Sequence, residues 1–234
     1  MMELRALEAE FRARMHKALK LDGADDYFTI PQLDTPTSFT FLAMINRTGY
    51  GSGGQPYRTI FGWSHSNWIL GFDKNTLDYI ITFSVESGWR FDAVGGLKVK
   101  ERGWMLYGVV YDKDAKEIRA YRDLDEYVWT NKDLTCKAPP TYIGTGWPNY
   151  YPSYFEGLIA WILYYDIALS KSEIKHIYYN PFDPPCMEHL FLWLTPAGID
   201  IANGKWWDLS GRNNHGTIYG ATEVLLTEPE VVVL

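Results

Sequence analysis

Short runs of apolar, aromatic and β-branched residues follow one another from residue 18 to residue 166, separated by clusters of Gly, Asn, Asp and Pro. Many short strands at near-regular spacing, with almost no helical pattern between them, predict an all-β sandwich or barrel. The aromatic content agrees, because 10 Trp, 17 Tyr and 11 Phe suit the half-buried surfaces of pleated sheets. The predicted strands are residues 18–22, 26–30, 37–45, 57–63, 67–72, 77–85, 104–112, 117–123, 126–130, 141–145 and 155–166, followed by 189–194, 216–220 and 230–234.

The N-terminal residues have helical periodicity instead. Leu4, Leu7 and Phe11 fall on one stripe of residues 3–19, which predicts a helix there and assigns residues 1–17 to it as a separate element. We interpret this helix as a cap on the sandwich. A short oligomerisation helix is the alternative, since the apolar spacing is also that of a coiled-coil seam.

One internal helix is predicted over residues 170–180. Ser170 is a suitable N-cap, and Glu173 follows it at the spacing of a capping box. Pro181 ends the helix, because the residue before a proline disfavours helical geometry.

The charge of the chain bears on its partners. The formal net charge is −7 and the sequence pI is about 5.2, without a cluster of Lys and Arg that could neutralise phosphates. We therefore expect no nucleic-acid partner. No run of 18 apolar residues is present, so no membrane insertion is expected either.

The N-terminus and the cysteines bear on the compartment. The first residues carry charge throughout and lack the apolar core of a secretory signal, so no signal peptide is predicted in this chain. Release by cell lysis, as for a virus particle, would suit such a protein, and a trimmed signal is the alternative. Cys136 and Cys186 could form one bridge, but two free thiols fit a chain without an export signal better.

Five segments together resemble a known family. The chain is similar, in the same order of elements, to the laminin-G-like jelly-roll domains of the concanavalin A-like lectin/glucanase superfamily. The resemblance implies an all-β, two-sheet antiparallel jelly-roll sandwich over residues 18–181. The segments that carry it are LDGADDYFTIP (21–31), FTFLAMI (39–45), GWMLYGVVYD (103–112), YIGTG (142–146) and FEGLIAWILYYDIALSKSEIKHIYYNP (155–181).

The resemblance also raises the question of a metal. Relatives often hold calcium partly through an Asp on the strand corresponding to residues 155–166, and this chain has Ala160 at that position. Calcium needs six to eight oxygen ligands, several of them anionic. Asp22, Asp25 and Asp26 are interpreted as turn formers that bond local backbone amides. We therefore expect no metal and no cofactor, and Ala160 disfavours calcium.

The C-terminal part departs from the family order. Residues 207–221 resemble a segment that ordinarily precedes the Asp-Gly strand, yet here they follow the closing helix. Residues 182–221 are therefore predicted to complete the sandwich beside residues 18–30, either by folding back in a permuted arrangement or by strand exchange with a neighbour. Residues 222–234 are predicted to be an apolar tail. Strand exchange would make the protein a homo-oligomer.

The superfamily includes glucanases, so an enzyme must be considered. Those enzymes use Glu-x-Asp-x-x-Glu on one strand, which points the acids into one cleft, and this chain has no such run. Asp123, Asp125 and Glu126 form the nearest acidic cluster and fall at a predicted turn. We expect no catalytic residues and no enzymatic activity.

Aromatic-rich loops are the candidate glycan-binding sites. Sugar recognition combines an aromatic ring against the apolar face of a pyranose with Asn or His donors for its hydroxyl groups. The candidates are Trp147, Tyr150, Tyr151 and Tyr154 in one loop, and Trp63, His65, Asn67 and Trp68 in another. Packing inside the core or the loop is the alternative role for each ring. Residues 48–56, rich in Gly, Ser and Pro, predict a flexible loop.

These observations favour a non-enzymatic surface or virion structural module, an adhesin-like decoration protein with the capacity to bind glycans. Its expected partners are cell-surface glycans or other virion or surface subunits, and its expected location is a virion or an extracellular surface. A lectin-type module of a secreted protein is the first alternative, and a glycoside hydrolase is the second.

Overall fold

The computed structural model describes residues 16–33, 36–62, 69–82, 93–133, 142–150 and 152–226. Most of the predicted N-terminal helix lies outside these ranges. Its predicted end was wrong, because Lys17 already begins a strand and Leu19 is fully buried in the core. Within the described ranges, no helix is long and apolar enough to cross a membrane.

Within the described ranges, the fold comprises sixteen strands and one α-helix. The helix, α1, spans Lys171–Tyr179. The strands are β1 (Lys17–Asp22), β2 (Tyr27–Thr29), β3 (Phe39–Arg47), β4 (Tyr57–Gly62), β5 (Ile69–Asp73), β6 (Asp78–Thr82), β7 (Ala93–Lys98), β8 (Trp104–Asp112), β9 (Glu117–Arg122), β10 (Asp125–Trp129), β11 (Tyr142–Ile143), β12 (Glu156–Tyr165), β13 (Leu190–Asp200), β14 (Lys205–Asp208), β15 (Gly216–Tyr219) and β16 (Thr222–Leu225).

The strands are joined by antiparallel pairing along one path. Its order is β10-β9-β8-β3-β12-β13-β14-β15-β2-β11-β4-β5-β6-β7, and β1 pairs with β12 and β16. The fold is thus a large antiparallel all-β sheet, consistent with a concanavalin A-like sandwich. The division into two separate sheets stays a prediction.

Aromatic contacts hold distant parts of this path together. Phe41 of β3 stacks on Phe61 of β4 with ring centroids 4.2 Å apart, and Tyr79 of β6 stacks on Tyr107 of β8 at 4.5 Å. The buried hydroxyls also cross the core: Tyr79 donates to the carbonyl of Tyr121, and Tyr107 donates to that of Gly71. These bonds satisfy polar groups that would otherwise be costly to bury.

A second apolar cluster lies on the other side of β12. Trp161 and Leu163 of this strand are fully buried there, against Ile174 and Ile177 of α1. The predicted capping box is present at the helix N-terminus, where the Ser170 hydroxyl and the Glu173 side chain each accept a backbone amide of the other residue. The capped helix therefore covers the outer face of the central strands.

The C-terminal segment joins the same sheet as the N-terminal strands. β13 pairs with β12, and β15 pairs with β2, so that Tyr219 lies opposite Tyr27. Trp206 of β14 is fully buried and packs against Phe28, with ring centroids 5.1 Å apart. The first residues of the predicted apolar tail form β16, which pairs with β1, and residues 227–234 lie outside the described ranges.

The side chain of Asp208 organises the turn that follows β14. Its buried carboxylate accepts the amides of Trp193, Ser210 and Asn214 at 2.8–3.0 Å, and it also accepts the Ser210 hydroxyl. One side chain thus fixes the turn between β14 and β15 and ties it to β13. A carboxylate with several amide donors is a strong local anchor.

We predict opposite outcomes for two adjacent tryptophans. Trp206→Ala removes a fully buried ring and should cost about 3–5 kcal/mol of unfolding free energy. Trp207→Ala removes a ring that is 40% exposed and should change stability by no more than about 0.5 kcal/mol. Urea denaturation followed by circular dichroism measures both. Equal losses in the two variants would contradict the register of β14.

Candidate functional site

Three connecting segments meet at one end of the fold: the turn of residues 22–26, the loop of residues 48–56 and the loop of residues 144–155. The Tyr154 amide donates to the carbonyl of Ser52 at 3.0 Å, and the Gly51 amide donates to Glu156 Oε2 at the same distance. We call this region the loop end. Its segments are therefore bonded to one another and not only to the sheet.

A buried arginine organises the loop of residues 48–56. Arg58 is 3% exposed, and its guanidinium donates to the carbonyls of Tyr50, Gly51, Gln55 and Tyr57 at 2.5–3.2 Å. Burial lowers the pKa of Arg58 from its usual value. The composition predicted a flexible loop, but these bonds tie it to β4, because one planar cation can satisfy several carbonyls at once.

Buried hydroxyls fix the base of the loop of residues 144–155. Thr59 and Ser153 share a hydrogen bond of 2.7 Å between their hydroxyls, and the Gly146 amide donates to Ser153 Oγ at 3.0 Å. At the tip, the rings of Trp147 and Tyr150 pack with centroids 4.1 Å apart, and Tyr150 is 66% exposed. The loop thus presents an aromatic tip on a fixed base.

A group of four tyrosines lies beside this loop. We define Tyr27, Tyr142, Tyr154 and Tyr219 as the tyrosine cluster. Tyr27 stacks on Tyr219 with centroids 4.8 Å apart and an interplanar angle of 15°, and it meets Tyr142 edge to face at 6.0 Å. Tyr219 is 45% exposed, whereas the other members are half-buried. The cluster therefore offers an open aromatic surface backed by packed rings.

Two of the four hydroxyls in the cluster, those of Tyr27 and Tyr154, have a raised pKa. Burial raises the pKa of Tyr27, and the neighbouring Tyr219 and Tyr142 raise it further. Burial also raises the pKa of Tyr154, with contributions from Tyr27 and Asp25, which places these groups within electrostatic reach of one another. At neutral pH the hydroxyls of Tyr27 and Tyr154 can therefore donate hydrogen bonds.

Three carboxylates follow at the adjoining turn. Oxygens of Asp22, Asp25 and Asp26 all lie within 4.8 Å of one another. Asp22 Oδ1 accepts the amides of Ala24 and Asp25, which lowers the pKa of Asp22, chiefly through the bond from Ala24. Asp26 Oδ2 accepts the amide of Asp22, yet burial and the neighbouring charges raise the pKa of Asp26. The predicted turn-forming bonds are thus in place.

The acidic cluster of Asp123, Asp125 and Glu126 lies away from the tyrosine cluster, and each of its carboxylates is paired. Asp123 bonds the Leu106 amide and lies 2.6 Å from Lys100, and Asp125 lies 2.7 Å from Arg122. Glu126 accepts the Tyr121 hydroxyl and pairs with Lys171 at 2.8 Å. Each carboxylate has a structural partner.

The structure places only part of the predicted site. Trp147, Tyr150 and Tyr154 lie at the loop end, and Tyr154 alone belongs to the tyrosine cluster. Tyr151, Trp63, His65, Asn67 and Trp68 lie outside the described residues. The sequence did not single out Tyr27, Tyr142 and Tyr219. Their signal was the alternation of polar or aromatic residues with the buried Phe28 and Ile143 and the half-buried Ile218. This alternation points to one shared surface only when β2, β11 and β15 are paired.

These features define an antiparallel jelly-roll protein with an aromatic surface at one end. The chain belongs to the concanavalin A-like lectin/glucanases superfamily, since a laminin-G family model of that superfamily matches residues 22–175. The predicted family resemblance is thereby confirmed. None of the curated proteins matches the chain in sequence.

Solved structures with a similar fold share little sequence with this chain. A candidate carbohydrate-binding protein from Bacteroides ovatus superposes with a TM-score of 0.70 at 16% identity over 91% of this chain, which spans 60% of that protein. Domain 4 of an extracellular arabinanase from Geobacillus stearothermophilus, in complex with arabinotriose, has a TM-score of 0.52 at 19% identity, covering 69% of this chain and 76% of that one. A heptameric pentraxin from Limulus polyphemus has a TM-score of 0.53 at 11% identity, covering 70% and 82%. At such identities the likeness concerns the fold.

We predict that Asp26→Asn stabilises the protein at neutral pH. The folded pKa of Asp26 is raised above its unfolded value, so the folded state is favoured below the unfolded pKa and loses that advantage as the pH rises through the folded pKa. The variant lacks this loss, and its amide oxygen can still accept the Asp22 amide. It should unfold at higher urea than the wild type at pH 7 and at equal urea near pH 3.

The exposed neighbour provides the control. Asp25→Asn should raise the urea midpoint at pH 7 less than Asp26→Asn does and leave it unchanged near pH 3, because the exposed Asp25 contributes only part of the shift at Asp26. A cation held among the three carboxylates would reverse the main result, since Asp26→Asn would then remove a charged ligand and destabilise the protein at pH 7.

Proposed function

We propose that this protein is a non-enzymatic glycan-binding module and that the tyrosine cluster is its binding surface. The observation that carries the proposal is the convergence of the four members of the tyrosine cluster from four separate segments. They lie beside the carboxylates of residues 22–26, which we call the aspartate turn. Aromatic rings stack on the apolar faces of sugars, while phenols donate to sugar hydroxyls and carboxylates accept from them.

The family and the structural neighbours support this function. The superfamily contains lectins, the Bacteroides ovatus protein is described as carbohydrate-binding, and the arabinanase domain was solved with arabinotriose. Because this chain spans 60% of the Bacteroides ovatus protein, activities of that whole protein are not transferred. The glycan-binding role therefore rests on the residues of this chain together with the fold.

The absence of catalysis is part of the proposal. A retaining glycosidase needs an acid and a nucleophile about 5 Å apart in one cleft. Asp123, Asp125 and Glu126 are each bonded to a cation, and Asp22 and Asp26 accept amides of their own turn. Binding without turnover is the function that suits these carboxylates.

We also propose that binding needs no calcium. Two of the three clustered carboxylates are already bonded to amides of their turn, and Ala160 is buried in the apolar cluster against α1, where it offers no oxygen. The surface or virion location, the structural role and the homo-oligomeric state stay predictions. The heptameric assembly of the Limulus pentraxin is compatible with an oligomer but belongs to that protein.

We predict that Tyr219→Ala weakens glycan binding. Loss of the exposed ring of the stacked pair should cost about 1 kcal/mol of binding free energy, or several-fold in Kd. Isothermal titration with arabino-, xylo- and cello-oligosaccharides measures the affinity. Tyr179→Ala is the matched control, because Tyr179 is 48% exposed on α1, outside the cluster. Equal effects of both substitutions would contradict the proposed surface.

Hydrolysis offers a separate test. Incubation of the protein with the same oligosaccharides, followed by chromatography of the products, should release no shorter sugars beyond those from heat-inactivated protein. Turnover that disappears in Asp123→Asn or Glu126→Gln would instead identify a hydrolase, since only a catalytic carboxylate would lose activity in this way.

A further inference from the structure

The tyrosine cluster continues into a longer surface on the outward face of four adjacent strands. Register partners in an antiparallel sheet point to the same side. Lys205 of β14 is paired with Thr217 of β15, Thr217 with Thr29 of β2, and Thr29 with Tyr142 of β11. These residues form one row across the sheet, and Tyr219 with Tyr27 forms the next row. Trp206, Phe28 and Ile143 point to the opposite, buried side.

Trp207 marks the far end of this face. It lies two residues beyond Lys205 on β14, so it points outward, and it is 40% exposed. Its ring meets the His215 ring edge to face at 4.7 Å. His215 precedes Tyr219 by four residues, which corresponds to about 14 Å along an extended strand. Aromatic rings thus bound the face at both ends, farther apart than a single sugar ring can reach.

The middle of the face is polar and small. Thr29 and Thr217 are half-buried, and Lys205 Nζ donates to Thr217 Oγ1 at 2.9 Å. Hydroxyls and an ammonium can bond sugar hydroxyls without blocking the face. A linear ligand that extends from Tyr219 to Trp207 would contact an aromatic ring first, then the threonine hydroxyls, and then a second aromatic ring.

The charges select against anionic ligands. Asp25 and Asp26 flank the tyrosine end, and at the other end Asp200 Oδ2 accepts the Trp207 indole N–H at 3.2 Å. The whole chain carries a formal net charge of −7. An acidic glycan would meet carboxylates at both ends of the face and the ammonium of Lys205 between them. Because the carboxylates outnumber this cation, the charge pattern fits an uncharged glycan.

We infer that the face from Tyr219 to Trp207 binds an uncharged, linear oligosaccharide several sugar units long, with Trp207 as a second stacking position. This inference rests on the proposed glycan-binding function and extends it to ligand length and charge. β14 and β15 lie outside residues 22–175, the part of the chain that the family model matches. The C-terminal segment therefore supplies half of this surface and the whole of its far end.

The test compares short and long oligosaccharides. Arabino-, xylo- and cello-oligosaccharides of two and six units are titrated against the wild type, Trp207→Ala and Tyr219→Ala. For the series that binds, we expect the six-unit ligand to bind more tightly than the two-unit ligand. Trp207→Ala should lower the affinity for the six-unit ligand about ten-fold and leave the affinity for the two-unit ligand unchanged. Tyr219→Ala should lower the affinity for both ligands. Sialyllactose, an anionic probe, should not bind.

Each outcome has a distinct meaning. Absence of binding by every probe would overturn the glycan-binding function itself. If Trp207→Ala bound the six-unit ligand with full affinity, only the extended face would be overturned. Tight binding of sialyllactose would have the same meaning. Leu209→Ala, which removes an exposed apolar side chain on the neighbouring turn, is the control and should have no effect.

A second variant guards against loss of fold in Trp207→Ala. Thr29→Lys places a longer side chain in the middle row and leaves Trp207 unchanged. It should lower the affinity for the six-unit ligand more than the affinity for the two-unit ligand. Thermal denaturation of each variant verifies folding. An unchanged preference for the longer ligand in folded Thr29→Lys would also contradict the inference.

Discussion

The pairing of β12 is the constraint on which the rest of the structure depends. One edge of this strand pairs with β3 along nearly its whole length, from Gly157 to Tyr165. The other edge is divided: β1 takes residues 156–159, and β13 takes residues 162–165. Both faces of β12 are buried, one in each apolar cluster. No other strand in the described part is shared in this way between the N-terminal and C-terminal segments.

The divided edge brings the candidate site together. β1 leads directly into the aspartate turn and β2, while β13 leads through β14 to β15. Because both segments begin on the same strand, β15 reaches β2 and places Tyr219 against Tyr27. Arg58, Thr59 and Ser153 then fix the neighbouring loops by buried polar bonds. The site is thus a product of strand order and of a few buried polar side chains.

The local sequence pattern was sufficient to predict most secondary-structure elements but not the candidate binding site. The alternation of residues, the Ser170–Glu173 cap and the ordered family segments predicted most strands, α1 and the superfamily. The tyrosine cluster was not predictable, because Tyr27 and Tyr219 are far apart in sequence and meet only through strand pairing. The loop of residues 48–56 was misjudged for a similar reason, since its composition does not reveal that Arg58 is buried beneath it. The end of the predicted N-terminal helix was misplaced because the periodicity of the sequence does not reveal that β1, from Lys17 on, pairs with the distant β16 and β12.

The opposed directions of Trp206 and Trp207 have a consequence for how such proteins diversify. The two residues are neighbours in sequence, yet one belongs to the core and the other to the surface. Insertion or deletion of one residue in this strand would exchange their positions and disrupt the core, because side chains alternate between faces. Single replacements, in contrast, can alter Trp207 while Trp206 is retained. Among related sequences that bind other ligands, we therefore expect substitutions at the position of Trp207 and a β14 strand of constant length.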